Sequence, residues 1–127
     1  MPLILIADDD EEVCGWMRAV LEADGYRVIE ATDGLEALAS IRCESPVLVI
    51  LDVYLPLRDG LEIMLQLHEQ ELSVKVFAIS GQPVPGYDIL RIASILGAQA
   101  TLAKPFSIDR LLLEARDLVG PAQRLCA

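Results

Sequence analysis

The sequence predicts an α/β protein of the doubly wound type, in which helices cover both faces of an open sheet of five parallel strands. Three observations predict it. Short apolar runs recur along the chain, stretches of helical periodicity separate them, and polar residues do not alternate within the runs. Strands that are buried on both faces have this unalternated pattern, and a regular succession of strand and helix is typical of a parallel sheet.

The first strand–helix unit has the clearest pattern. Residues 3–7 (LILIA) are predicted to form a strand, and residues 11–23 a helix that Gly25 ends. Apolar residues of this helix recur three and four positions apart, which places them on one face; they are Val13, Trp16, Met17, Val20 and Leu21.

Four more units follow in the same order. The strands are predicted at residues 26–30, 47–51, 75–79 and 98–103, and the helices at 34–43, 61–71, 87–96 and 107–119. Thr32 or Asp33 can cap the second helix and Ser107 the last, because short polar side chains accept hydrogen bonds from the first helical N–H groups. Pro46 follows the second helix, Gly97 the fourth and Gly120–Pro121 the fifth.

Length and composition indicate one soluble domain at residues 1–120, with a short tail at 121–127. The 127 residues are 54% hydrophobic, with a mean hydropathy of +0.44, which argues against disorder. No apolar run approaches the roughly 18 residues of a membrane span, and no secretory signal precedes the first strand. We therefore expect a cytoplasmic protein with no membrane contact, whose three cysteines are buried or free thiols. The Gly120–Pro121 stop suggests a natural end, and a longer parent chain is the alternative.

The net charge of −10 argues against direct binding of nucleic acid, which requires a basic patch. The ten lysines and arginines are scattered, whereas acidic residues cluster at residues 8–12 (DDDEE).

Polar residues follow four of the predicted strands, at the edge where an open parallel sheet binds its ligands. They are Asp8, Asp9 and Asp10 after the first strand, Asp52 after the third, Ser80 after the fourth and Lys104 after the fifth. Each has an ordinary alternative role. The three aspartates could favour a helix N-terminus, Asp52 could tighten the turn before Pro56, Ser80 could serve a turn and Lys104 could be a solvated charge. Their convergence on one edge favours a site.

The charges of this group indicate what it binds. Ionised Asp8, Asp9 and Asp52 with a protonated Lys104 have a net charge of −2. Mg²⁺ prefers carboxylate and water oxygens together with a phosphate. A cation, a lysine and a hydroxyl around one aspartate are suited to placing a phosphoryl group on that aspartate, which predicts Asp52 as a nucleophile.

With these motifs the chain resembles the receiver domain of two-component response regulators. The resemblance covers about residues 2–119 and depends on ILIADDD, LDVYLPLRDG, AISG and LAKPF, in that order. It implies a flavodoxin-like (βα)5 fold with strand order 2-1-3-4-5. It also implies a phosphoprotein of the stand-alone type that is not an enzyme beyond its own phosphorylation and dephosphorylation. The phosphoryl donor would be a sensor histidine kinase or a histidine phosphotransfer protein, and the output an unknown downstream protein.

The resemblance also implies residue roles. Asp52 matches the phosphoryl acceptor, and Mg²⁺ would be held by Asp8, Asp9, Asp52 and the main-chain carbonyl of Tyr54. Ser80 matches the hydroxyl that turns to the phosphoryl group, Gly81 leaves that group room, and Lys104 pairs with a phosphoryl oxygen. Pro105 matches a proline that is often cis. His68, the single histidine, is expected at a solvated helix position outside the chemistry.

The sequence departs from the family pattern at three places. Thr101 stands where an aromatic residue often relays the signal, so we expect the loop that carries Ser80, or another surface, to do so. The segment GQPVPGYD after Ser80 contains two prolines, which predicts a late or stiff start of the fourth helix. Tyr54 and Gln82 occupy positions that tune dephosphorylation, one by shielding the phosphoryl group and the other by orienting a water.

Three alternatives differ in class. A receiver fold could act as an interaction module that is never phosphorylated. Asp8-x-Asp10 superficially matches the nucleophile motif of haloacid-dehalogenase-like phosphatases, although Asp9 and Glu11–Glu12 do not fit it. A flavodoxin-type cofactor binder would need a phosphate-cradling loop, where this chain has its acidic cluster.

Overall fold

The computed structural model describes residues 1–54, 60–81 and 88–120. Its strands are β1 (Leu3–Ala7), β2 (Arg27–Ala31), β3 (Leu48–Asp52), β4 (Lys75–Ser80) and β5 (Ala100–Ala103). Its helices are α1 (Glu11–Ala23), α2 (Gly34–Glu44), α3 (Gly60–Glu69), α4 (Ile89–Ile95) and α5 (Ile108–Val119). All strand pairs are parallel, in the order β2-β1-β3-β4-β5, which confirms the predicted fold class and strand order.

Two apolar cores lie on opposite faces of the sheet, because successive strand residues point to opposite sides. In β1, Ile4 and Ile6 pack in a core with α1 and α5, whereas Leu5 and Ala7 pack in a core with α2, α3 and α4. All four are completely buried. Burial of an Ile or Leu side chain contributes about 1.5–3 kcal/mol, so these two layers are the main source of stability.

The helix ends follow the predicted capping in two cases. Asp33, not Thr32, caps α2 by accepting from the N–H of Glu36, and Ser107 caps α5 by accepting from the N–H of Arg110. Helix α1 is capped by Asp10, whose carboxylate accepts from the N–H groups of Glu12 and Val13. Asp10 therefore serves a helix N-terminus, which is the ordinary role considered for it above.

Several predicted bounds were wrong by one or two residues. Strand β3 includes Asp52 and excludes Val47, which is 44% exposed. Strand β5 begins at Ala100 instead of residue 98, because the N–H of Ala98 bonds to the carbonyl of Ala93 and so closes α4. Helix α3 ends at Glu69, before the left-handed Glu71.

Some predictions lie outside the described residues: the turn at Pro56, the segment at 82–87 with Gln82, and the tail at 121–127, which contains the third cysteine, Cys126. Helix α4 begins at Ile89 with Asp88 as its cap, two residues after the predicted start. In the part of the chain that is described, no helix has both the length and the apolar character to cross a membrane.

Candidate functional site

The carboxyl ends of the strands bring the predicted side chains to one edge of the sheet. Asp8 follows β1, Asp52 and Ser80 are the last residues of β3 and β4, and Lys104 follows β5. Asp8 is fully buried, and Asp52 and Ser80 are each 5% exposed. The register aligns Asp52 with Ile79 and Ser80 with Ala103, so neighbouring strands end at nearly the same level.

Lys104 joins two carboxylates. Its Nζ lies 2.8 Å from Oδ2 of Asp8 and 3.2 Å from Oδ2 of Asp52. Its main-chain N–H donates to the carbonyl of Ser80 at 2.8 Å, which fixes the start of the side chain. Burial lowers the pKa of the ammonium group, but Asp8 and Asp52 raise it by more, so the pKa of Lys104 lies above its ordinary value. Lys104 is therefore a cation in the site and not a solvated surface charge.

Gly81 makes space for that lysine. A Cβ atom on Gly81 would lie 3.1 Å from Cδ of Lys104, which is closer than ordinary van der Waals contact, so the lysine stem would have to shift. The sequence suggested that Gly81 gives room to a phosphoryl group. In the structure the stem of Lys104 lies next to Gly81, and the room for a phosphoryl group stays a prediction. The Lys104–Pro105 peptide bond is cis.

Asp52 is buried, and its hydrogen bonds compensate only part of the cost of burying its charge. Its Oδ1 accepts from the main-chain N–H of Tyr54 at 2.9 Å, and its Oδ2 accepts from Lys104. Burial raises the pKa of Asp52, against the opposing effects of the Tyr54 N–H and Lys104, because removal from water disfavours the charged form. The pair of oxygens at the end of β3 is thus held in place by one donor each.

Asp8 is held by its main chain and by one carboxylate oxygen. Its N–H donates to the carbonyl of Ala31, and its Oδ1 accepts from the N–H of Asp10 at 2.9 Å. Its carbonyl accepts from Sγ of Cys14 at 3.1 Å. The buried Oδ2 accepts no hydrogen bond of good geometry within the described residues, although Lys104 lies at ion-pair distance.

This arrangement fits a divalent cation. Carboxylate oxygens of Asp8, Asp9 and Asp52 all lie within 4.8 Å of one another. Oδ2 of Asp8, which Lys104 approaches from one side, and the exposed Asp9 leave acceptor capacity for a hard cation or for its waters. Tyr54 is placed next to the cluster by its N–H bond to Asp52, and its carbonyl as a metal ligand stays a prediction.

Other predicted residues lie away from this cluster. His68 is exposed on α3, which confirms its expected solvated position. Thr101 is half-buried in β5, paired with Ala78. Glu30, at the end of β2, is paired with Arg18 of α1 at 2.6 Å, so β2 adds no member to the cluster.

The sequence did not predict two residues that contribute to the site, Cys14 and Gly60. Cys14 is 1% exposed, and burial, followed by the charge of Asp8, raises its pKa to about 12. Gly60 lies so close to the end of β3 that its Cβ would be 2.6 Å from Cα of Val53 and 2.9 Å from the carbonyl oxygen of Asp52. The glycine of the Asp59–Gly60 pair was a visible signal, but its packing against the Asp52 main chain was not.

A sequence model of the response regulator receiver domain matches residues 4–116. The chain belongs to this family. The receiver domain of response regulator 1452 from Francisella has the same fold, with a TM-score of 0.85, 28% identity and coverage of 93% of this chain and 96% of that one. The receiver domain of NtrX from Brucella abortus superimposes with a TM-score of 0.83 and 31% identity over 91% of this chain and 97% of that one.

Longer relatives match through part of their length. The alkaline phosphatase synthesis transcriptional regulatory protein PhoP of Bacillus subtilis is 38% identical over 104 residues, which are 82% of this chain and 42% of PhoP. The response regulator MprA of Mycolicibacterium vanbaalenii is 36% identical over 121 residues, 94% of this chain and 51% of MprA. This receiver domain thus spans about half the length of these curated relatives.

Proposed function

We propose that this receiver domain accepts a phosphoryl group on Asp52 in a Mg²⁺-dependent reaction and thereby changes its contacts with other proteins. The observation that supports this most is the convergence of Asp52, Lys104 and two further aspartates at one edge of the sheet, with Asp52 and Lys104 in contact. Asp8, Asp9, Asp52 and the Tyr54 carbonyl would hold Mg²⁺, which would neutralise charge on the transferred group.

The chain's own residues would perform the transfer. A carboxylate oxygen of Asp52 forms a bond to phosphorus while the bond between phosphorus and the donor's imidazole nitrogen breaks, and its electron pair returns to the imidazole. Lys104, already 3.2 Å from Asp52, would pair with a phosphoryl oxygen, and the Ser80 hydroxyl would turn to another. The product is an acyl phosphate, and the domain acts only on itself.

The donor would be the phosphohistidine of a sensor kinase or of a phosphotransfer protein, which would place the exchange in the cytoplasm. The output would be a protein contact, since a net charge of −10 disfavours nucleic acid as a ligand of this domain. The phosphatase alternative loses support because both hydrogen bonds of the Asp10 carboxylate go to the first turn of α1.

Intact mass after incubation with acetyl phosphate tests the proposal, with and without Mg²⁺. We expect the wild type to gain one phosphoryl group only with Mg²⁺, and Asp52→Asn to gain none. Asp117→Asn, the same change at an exposed position near the end of α5, serves as the matched control and should behave as the wild type.

The proposal is wrong if Asp52→Asn is labelled to the wild-type extent. If the wild type takes up no phosphoryl group, binding of beryllofluoride to the Mg²⁺-loaded protein decides. Binding that depends on Asp52 would support the receiver chemistry, and its absence would favour the unphosphorylated interaction module.

A further inference from the structure

The peptide group that joins Asp8 to Asp9 is tied to helix α1 by a thiol. Sγ of Cys14 donates to the carbonyl oxygen of Asp8 at 3.1 Å, and both residues are buried from solvent. A buried carbonyl without a partner is unfavourable, so the thiol compensates the burial of this carbonyl at the centre of the site.

The thiol is itself held firmly. The N–H of Cys14 donates to the carbonyl of Asp10 at 3.0 Å, which is the first hydrogen bond of the α1 turn. The Asp10 carboxylate closes the same turn by accepting from the N–H groups of Glu12 and Val13. Cys14 therefore connects a capped, rigid helix start to the Asp8–Asp9 peptide.

The main chain on either side of that peptide is fixed by hydrogen bonds. The N–H of Asp8 is fixed on β2 through Ala31, and the N–H of Asp10 is fixed on Oδ1 of Asp8. The Asp8–Asp9 peptide lies between these two points, and the thiol holds its carbonyl. A rotation of this peptide that displaced the main chain of Asp9 would carry the Asp9 carboxylate away from those of Asp8 and Asp52, which now lie within 4.8 Å of it.

We propose that Cys14 is a positioning residue for the metal site: its thiol holds the Asp8–Asp9 peptide in the orientation in which both carboxylates face one divalent cation. The proposal rests on the proposed function. It concerns affinity for Mg²⁺ and assigns the thiol no contact with the phosphoryl group.

Titration calorimetry with MgCl₂ tests the proposal on the purified wild type and four variants. Cys14→Ser keeps a donor at this position, Cys14→Ala removes it, and Cys14→Val removes it while filling the space. Cys43→Ala is the matched control, because Cys43 is exposed on α2. Urea unfolding in EDTA checks that each variant is folded.

We expect the Kd for Mg²⁺ to rise about threefold to tenfold in Cys14→Ala, the equivalent of one hydrogen bond. Cys14→Val should show the same loss, Cys14→Ser should recover most of the affinity, and Cys43→Ala should bind as the wild type does. If the Ala variant does not fold, the comparison of Val with Ser gives the answer.

The positioning role is wrong if the variants without a donor bind Mg²⁺ as tightly as the wild type, or if Cys14→Ser is as weak as Cys14→Val. These results would leave the proposed function intact, because the wild type would still bind the metal. A wild type that binds no Mg²⁺ would overturn both proposals.

Discussion

At the scale of the residue, Asp52 is a charge that the fold holds at some cost. It is 5% exposed, and burial raises its pKa despite its contacts with Lys104 and the Tyr54 N–H. A folded-state pKa above the unfolded one means that the native state prefers the protonated acid. The ionised carboxylate therefore lowers the free energy of unfolding at neutral pH, and the loss is relieved as pH falls towards the raised pKa.

The raised pKa of Asp52 leads to a prediction for the stability of Asp52→Asn in the absence of metal. In EDTA at pH 7 the variant should be more stable than the wild type by about 1 kcal/mol, because a neutral amide avoids the desolvation of a charge. The difference should shrink as pH is lowered through the pKa of Asp52, since the wild type then becomes neutral too. Urea unfolding at several pH values measures it. A variant less stable than the wild type at pH 7 would mean that the pairing with Lys104 outweighs burial.

The residues of the site differ in how far the sequence predicts them. Asp8, Asp52, Ser80 and Lys104 could be placed at one edge because each stands at or just after a strand, and parallel strands end on the same side. Cys14 could not, because its sequence position indicates only a buried helix residue. Its contact with the Asp8 carbonyl depends on how α1 approaches β1.

At the scale of the element, strand β3 and helix α3 meet through a glycine. The N–H of Gly60 donates to the carbonyl of Val53 at 2.9 Å, so the first residue of α3 lies against the chain just after Asp52. A side chain on Gly60 would collide with main-chain atoms of Val53 and Asp52, which cannot swing away as a side-chain tip can.

Gly60→Ala should therefore destabilise the protein by about 1–3 kcal/mol and weaken Mg²⁺ binding, because the end of β3 must move. Gly15→Ala is the matched control. Gly15 is exposed in α1, its Cβ would meet nothing within 4 Å, and alanine in a helix should add about 0.5–1 kcal/mol of stability. Urea unfolding and Mg²⁺ titration of both variants test the contrast, which fails if Gly60→Ala is as stable as the wild type.

The elements themselves were predicted better than their ends. Every strand and helix could be found, because an unalternated apolar run and a helical period are properties of the local sequence. The start of β5 could not, because Ala98 is as apolar as a strand residue but its N–H bonds to the carbonyl of Ala93 in α4, and the first main-chain bond to β4 is made by Gln99 to Val76. That choice is made by the tertiary packing of α4 on β4.

At the scale of the whole molecule, the sheet edge opposite the site is fastened to the end of α5. The Tyr26 hydroxyl donates to the carbonyl of Gly120 at 2.8 Å, and Lys75 Nζ donates to the carbonyl of Leu118 at 2.6 Å. The guanidinium of Arg116 donates to both oxygens of Asp24, at 2.9 and 2.5 Å. Three links thus connect the last turn of α5 to the α1–β2 connection and to the start of β4.

These links stabilise the fold away from the candidate site. A substitution in one of them should therefore lower the stability without changing phosphorylation. Tyr26→Phe removes the hydrogen bond from the buried side chain to the Gly120 carbonyl and should lower the free energy of unfolding by about 1 kcal/mol, or the Tm by roughly 3–6 °C. Its Mg²⁺ affinity and its rate of labelling by acetyl phosphate should stay within about twofold of the wild type, since the sheet separates Tyr26 from the strand ends that carry Asp52 and Lys104. Thermal unfolding and timed intact-mass measurements on the same preparation decide the matter. A Tyr26→Phe variant with unchanged Tm but slower labelling would show that the two edges of the sheet are coupled through α5.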